Sequence, residues 1–189
     1  MMDKILQLDR DVFLTLNSLG SENWDGLWLA ITNKYYAIPI YAFLLWLIIK
    51  KLGLKRTLIS LVAIALLIVV TDQLANFFKY GVQRLRPCYD PELNTLVRLV
   101  KASCGGKFSF YSAHASNSMA IAAFFFLLLN QYKKTLGVFL LIWAVLVGYS
   151  RIYIGVHFPL DVLFGMGVGA LMGWLFYKLT IFTYLKSGL

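Results

Sequence analysis

The chain of 189 residues has two histidines, His114 and His157, and each stands among residues that could put an imidazole to chemical use. His157 precedes Asp161 by four residues in the stretch SRIYIGVHFPLD. A carboxylate one helical turn from an imidazole can accept its Nδ1–H, which fixes the tautomer and leaves Nε2 as a nucleophile or base. Pro159, between the two, suits the first turn of a helix. His114 lies in FYSAHASNS, where Ser112 reads as an N-cap. The free N–H groups of that first turn, beginning at Ala113, would point outward, ready for an anion. Lys79 and Arg86 belong to KYGVQRLRP, and Arg151 ends GYSR, each at the end of an apolar run. Singly, these features have plainer readings: capped helix starts, an aspartate that caps rather than catalyses, and cations snorkelling to an interface. Jointly, three cations, a helix N-terminus and two histidines match a phosphoryl group, whose charge spreads over its oxygens as it is transferred. No cluster of carboxylates, cysteines or histidines has the spacing of a metal site. The cations would take the part that metal ions play in other phosphoryl-transfer enzymes, and no cofactor is expected.

The elements that must position these residues are membrane helices. The chain is 60% hydrophobic with a mean hydropathy of +0.71. A soluble domain of this length needs far more polar surface, and the long apolar runs name the bilayer as solvent. The expected fold is all-α: a polytopic bundle of five to six membrane helices forming a single domain over 1–189. Residues 4–19 place Ile5, Leu8, Val12, Leu16 and Leu19 at helical spacing, with charges interspersed. That pattern predicts an amphipathic helix lying at the interface, with no clean apolar leader in the first twenty residues. Trp24 and Trp28 suit a second interfacial piece, so that 1–34 stays at the membrane surface. Spans are expected over Tyr35–Ile49, Thr57–Phe78, Ala113–Leu129, Leu136–Tyr149 and Pro159–Tyr177. In the last, Gly165, Gly169 and Gly173 recur every fourth residue, a close-packing face for another helix, either within the chain or in a homo-oligomer.

The formal charge of +9 reads as topology and anion binding rather than as a nucleic-acid surface. The links KKLGLKR and NQYKK and the tail with Lys178 and Lys186 fall on one side, which the positive-inside rule makes cytoplasmic. The outer loop, 79–112, breaks that rule. It carries Lys79, Arg84, Arg86, Arg98, Lys101 and Lys107 against Asp90 and Glu92. Cations placed against topology contact either anionic headgroups or a bound phosphate. The loop also holds both cysteines, Cys88 and Cys104, as free thiols or as a disulfide made in an oxidising compartment.

These residues resemble the type 2 phosphatidic acid phosphatase superfamily, whose motifs are K-x6-R-P, P-S-G-H and S-R-x5-H-x3-D. The first is met by Lys79 and Arg86-Pro87, and the third by Ser150-Arg151, His157 and Asp161. The second reads Tyr111-Ser112-Ala113-His114, with Tyr and Ala where the family has Pro and Gly. The core motifs therefore run from 79 to 161. The resemblance implies a lipid phosphatase in a bacterial cytoplasmic (inner) membrane, its site facing the periplasm or exterior. His157 would be the nucleophile, Asp161 its partner and His114 the general acid and base. Lys79, Arg86, Arg151, Ser112 and the Ala113 N–H would bind phosphate. Undecaprenyl diphosphate is the leading substrate by this resemblance, with lipid A, phosphatidylglycerol phosphate and phosphatidic acid as alternatives. A phosphotransferase would share the histidines. A lipid-phosphate binder or transporter would not need them, although Asp72 within a span could be cited for transport; its plainer reading is pairing with Asn76 or Lys79.

Overall fold

The structure is a computed structural model describing residues 2–189. Five α-helices follow in order, with a short 3₁₀ turn at Lys34–Ala37 and another at Pro87–Tyr89: α1 Met2–Ser18, α2 Glu22–Thr32, α3 Ile38–Val82, α4 Ala113–Tyr153 and α5 Pro159–Lys186. Among the described residues, four apolar helical stretches are long enough to cross a membrane: Lys34–Val82, Ala113–Asn130, Tyr132–Tyr153 and Pro159–Lys186. The first has 49 residues, which at about 1.5 Å per residue is roughly twice a hydrocarbon thickness of about 30 Å. It folds back at Gly53, where φ is 77° and ψ 169°, a conformation that suits glycine. Tyr41, Leu44 and Ile48 of the first arm line one cavity with Leu61, Ile64 and Ile68 of the second. α4 also breaks, at Lys133 with φ −161° and ψ 79°, and a Cβ on Gly137 would stand 2.6 Å from the Phe126 ring. With the folds at Gly53 and Lys133 counted, five apolar helical segments make up the bundle, and α1 and α2 are not among the stretches long and apolar enough to cross.

The three expected cationic segments gather at one end of the bundle. Lys51 lies over the Tyr132 ring at 5.8 Å, and the Tyr184 hydroxyl donates to the Arg56 carbonyl at 3.0 Å. The core between the helices is apolar, built around Leu44, Leu67, Phe124 and Leu129. The glycine stripe is used inside the chain. A Cβ on Gly165 would lie 2.7 Å from the Ser112 carbonyl oxygen, and Gly169 and Gly173 abut the Ser116 and Ala120 carbonyls. α5 therefore rides directly on the first arm of α4, and this face is not open to a second copy, contrary to a homo-oligomer built on it.

α1 and α2 pack on the opposite end. Ile5, Leu8 and Val12 of α1 are exposed, as an interfacial helix requires, while Asp9, Phe13 and Asn17 turn inward. Phe13 meets Phe158 edge-on at 5.2 Å, and Asn17 Nδ2 donates to the Tyr153 carbonyl at 2.9 Å. Trp24 is exposed, but Trp28 leaves the interface and packs on Tyr149 and Tyr153. Between α3 and α4 the chain doubles back, with Leu85 bridged to Phe108. Cys88 and Cys104 are joined as a disulfide across this loop.

Candidate active site

The third motif acquires its shape from a helix ending. α4 terminates in a turn at Gly155, where φ is 81° and a Cβ would stand 2.7 Å from the Arg98 carbonyl oxygen. Only glycine tolerates both conditions. The turn lets the Val156 and His157 N–H groups donate back to the Arg151 carbonyl, at 3.1 and 3.3 Å. His157 is thereby returned beside Arg151. α5 then starts with Pro159, and Asp161 caps it, with Oδ2 accepting from the Phe158 N–H at 2.9 Å. The same Oδ2 lies 3.5 Å from His157 Nδ1. Asp161 thus caps α5 and also faces His157, whose Nδ1 makes no hydrogen bond among the described residues. Ser112 joins the second motif to the third: its N–H donates to the Asp161 carbonyl at 3.0 Å and its Oγ accepts from Ala115 N–H at 3.4 Å.

His157 and Asp161 are buried, at 2% and 0% exposure, whereas His114 is exposed in the first turn of α4. Burial, then the positive charges of Arg151, Arg86 and Lys79, push His157 well below the usual histidine value. It is therefore a neutral imidazole near pH 7, with a free lone pair. Arg86 is held by two backbone acceptors in the loop, its Nε at 3.3 Å from the Phe108 carbonyl and its Nη1 at 2.5 Å from the Cys104 carbonyl. Arg151 donates to the Thr32 hydroxyl at 2.5 Å and keeps its Nε–H without a partner among the described residues. Lys79, in the last turn of α3, is within electrostatic range of Arg86, Arg151 and Asp161. Arg86 and Arg151 line a cavity of 430 Å³ with Lys101 and Val156. Partial desolvation, followed by repulsion from Arg151 and Arg86, pushes Lys101 below the ordinary lysine value. Such crowded like charges favour an anion among them. His114 lines a second cavity, of 470 Å³, bounded by Thr32, Tyr41, Asp72, Ile121 and Trp143. Thr32, which lines this cavity, accepts from Arg151, which lines the other. Among the described residues, no three His, Cys, Asp or Glu side chains stand close enough to hold a metal ion.

Several site residues lie outside the motifs, and of these Arg84 and Lys101 are marked in the sequence only as loop cations placed against topology, Asp9 and Thr32 not at all. Arg84 donates to Asp161 Oδ1 at 3.0 Å and to Asp9 Oδ2 at 2.6 Å, with its guanidinium 3.9 Å from the centre of the Phe158 ring. Asp9, on α1, also accepts from the Leu160 N–H at 2.8 Å. Burial outweighs the pull of Arg84 and raises the Asp9 carboxyl above its usual range. Thr32 and Lys101 likewise join the site from outside the motifs. Asp72 pairs with neither expected neighbour; it accepts from Asn117 Nδ2 on α4 at 2.8 Å. Tyr111, in the place of the family's proline, is fully buried and packs on Phe78 and Phe164 at 5.5 Å each.

The PAP2 superfamily pattern matches residues 56–183 of this chain. The chain belongs to the PAP2 superfamily. It is accordingly an integral membrane phosphatase, a hydrolase of phosphate esters. Among its relatives is the lipid A 4'-phosphatase of Bacteroides thetaiotaomicron, 38% identical over 94% of this chain and 79% of that protein. The lipid A 4'-phosphatase of Porphyromonas gingivalis is 37% identical over 98% of this chain and 78% of its own length. The undecaprenyl-diphosphatase BcrC of Bacillus subtilis is 28% identical over 90% of this chain and 83% of its own. The crystal structure of Aquifex aeolicus LpxE superposes with a TM-score of 0.65 at 28% identity, covering 89% of this chain and 93% of that one.

Proposed function

We propose that this PAP2 phosphatase removes a phosphate monoester from the sugar headgroup of a lipid A-type glycolipid at the outer face of the membrane. One observation carries the reading. The two relatives named for lipid A 4'-phosphatase activity match nearly the whole chain at 37–38% identity, against 28% for BcrC. The undecaprenyl diphosphate that led by family resemblance thus gives way to the glycolipid, one of its alternatives. The cavities support the exchange: a cationic one for phosphate, and a larger, partly apolar one beside His114 for the leaving group.

In this reading His157 Nε2 attacks phosphorus, forming a P–N bond as the P–O bond to the sugar breaks. His114 gives its proton to the departing oxygen. Asp161 keeps the Nδ1 proton and its charge offsets the developing imidazolium. Water then attacks the phosphohistidine, surrendering a proton to His114 as the P–N bond breaks and phosphate leaves. Lys79, Arg86, Arg151, Lys101, Ser112 and the Ala113 N–H hold the phosphoryl oxygens. The cationic turns at the opposite end, around Lys51 and Lys134, support that end as the inner one by the positive-inside rule, and with it a site that faces outward.

Phosphate release by the purified protein, across a panel of lipid phosphates with EDTA present, tests this. Release from a lipid A-type 4-phosphate that survives EDTA and vanishes in His157→Ala is the expected result. Faster release from undecaprenyl diphosphate would overturn the substrate. Transfer of label to a second lipid, with no free phosphate, would overturn hydrolysis.

A further inference from the structure

Asp72 takes no part in the proposed chemistry, yet it stands beside it. It lies on the second arm of α3 inside a membrane-crossing stretch, where an ionisable side chain is costly and calls for a function. Asn117 donates to its Oδ1 at 2.8 Å, and Thr71 donates to the Asn117 Oδ1 at 2.5 Å. The amide is thus oriented from one side and fixes the carboxylate from the other. Asp72 Oδ2 has no hydrogen-bond partner among the described residues, and it is not one of the atoms sealed from solvent. Asp72 lines the same 470 Å³ cavity as His114 and Asn117. Asn117 follows His114 by three residues, so both lie on one helix face, with the carboxylate about one turn deeper than the proton donor.

A fixed acceptor at that depth distinguishes leaving groups. Cleavage of undecaprenyl diphosphate would leave undecaprenyl phosphate, whose anionic oxygens would meet an unpaired carboxylate oxygen of like charge and whose methylenes offer that acceptor no donor, both unfavourable away from water. A sugar next to the scissile oxygen carries hydroxyl or amide N–H donors that can meet it. We propose that Asp72, held by Asn117, is a specificity-determining residue that accepts a hydrogen bond from a hydroxyl or amide N–H on the sugar of the leaving glycolipid. The inference rests on the sugar-phosphate reading above and assigns it a selector.

The test uses the full chain in detergent micelles and three probes: an N-acylglucosamine 4-phosphate lipid, the same lipid with its hydroxyls methylated and its amide replaced by an ester, and undecaprenyl diphosphate. In the wild type, masking the donors is expected to lower kcat/KM about 10- to 100-fold, the scale on which sites built for a substrate donor reject analogues lacking it. In Asp72→Leu the two sugar lipids should converge, with undecaprenyl diphosphate unchanged or faster. Asp72→Asn, equal in size, gives a second variant, and the wild-type comparison needs no variant to fold. A wild type that prefers the sugar lipid but treats masked and unmasked forms alike overturns the role of Asp72 alone. So does Asp72→Leu with full discrimination. A wild type that prefers undecaprenyl diphosphate overturns the glycolipid reading, and Asp72 falls with it.

Discussion

Replacing Asp9 by Asn tests whether the N-terminal helix belongs to the catalytic apparatus. Asp9 is 4% exposed, and its carboxylate shares one guanidinium with Asp161, through contacts of 2.6 and 3.0 Å to Arg84. Asp161 in turn faces His157 Nδ1 at 3.5 Å. Asn keeps the shape and an oxygen for the Leu160 N–H but removes the charge. The bond to Arg84 then falls from charge-assisted on both sides to assisted on one, a loss of about 1–3 kcal/mol. Arg84 would turn its full charge on Asp161 and weaken the carboxylate that offsets the imidazolium. Because that interaction strengthens as the imidazolium develops, the loss belongs in kcat: roughly 5- to 150-fold, with KM little changed. Initial rates of phosphate release, with thermal unfolding of the same samples, provide the assay. Arg84→Gln should be worse, since it strands two buried carboxylates without their counter-ion, a cost of about 3–5 kcal/mol that threatens folding. Arg84→Lys supplies the charge as a point and not a planar fork, and should recover part of the rate. A lowered Tm in Asp9→Asn with wild-type kcat would refute the coupling and leave Asp9 a purely structural anchor.

Other consequences can be measured directly. Reducing the Cys88–Cys104 bridge frees the carbonyl that holds Arg86 Nη1, so reductant should raise KM several-fold in the wild type and leave a Cys88→Ser/Cys104→Ser variant unmoved. His157, depressed well below its ordinary value of 6.5, should remain neutral at pH 6.5 in histidine-labelled NMR spectra, with the signal assigned by its loss in His157→Ala. Its sign for stability follows: the unfolded chain binds a proton there below pH 6.5 and the folded one does not, so Tm should fall as the pH drops below that value. Gly155→Ala meets both a φ of 81° and the Arg98 carbonyl, and should lower Tm and activity together, since the same turn positions His157.

Most of the helical architecture and the motif residues were legible because both depend on local spacing. Lys79 and Arg86 sit at opposite ends of one loop entry, and Arg151, His157 and Asp161 occupy one helix ending and the next helix start. An apolar run declares a membrane segment by length alone. The disulfide stood as one of two options from sequence, because pairing depends on the distance between Cα atoms, here 6.4 Å. The glycine stripe announced close packing without naming its partner. That partner, the Ser112–Ala120 backbone, is set by how α5 folds back on α4.

Residue types and short spacings by themselves determined the membrane bundle, the motif constellation and the phosphoryl chemistry it suits. Only the tertiary structure decided that Asp9 supports Arg84 from 75 residues away and that Thr32 holds Arg151 from 119 residues away. It alone set Asp72 on Asn117 rather than on its own helix neighbours. These partners carry no periodicity or spacing that marks them, because a buried charge takes whichever counter-group the packing of distant helices brings within hydrogen-bond reach.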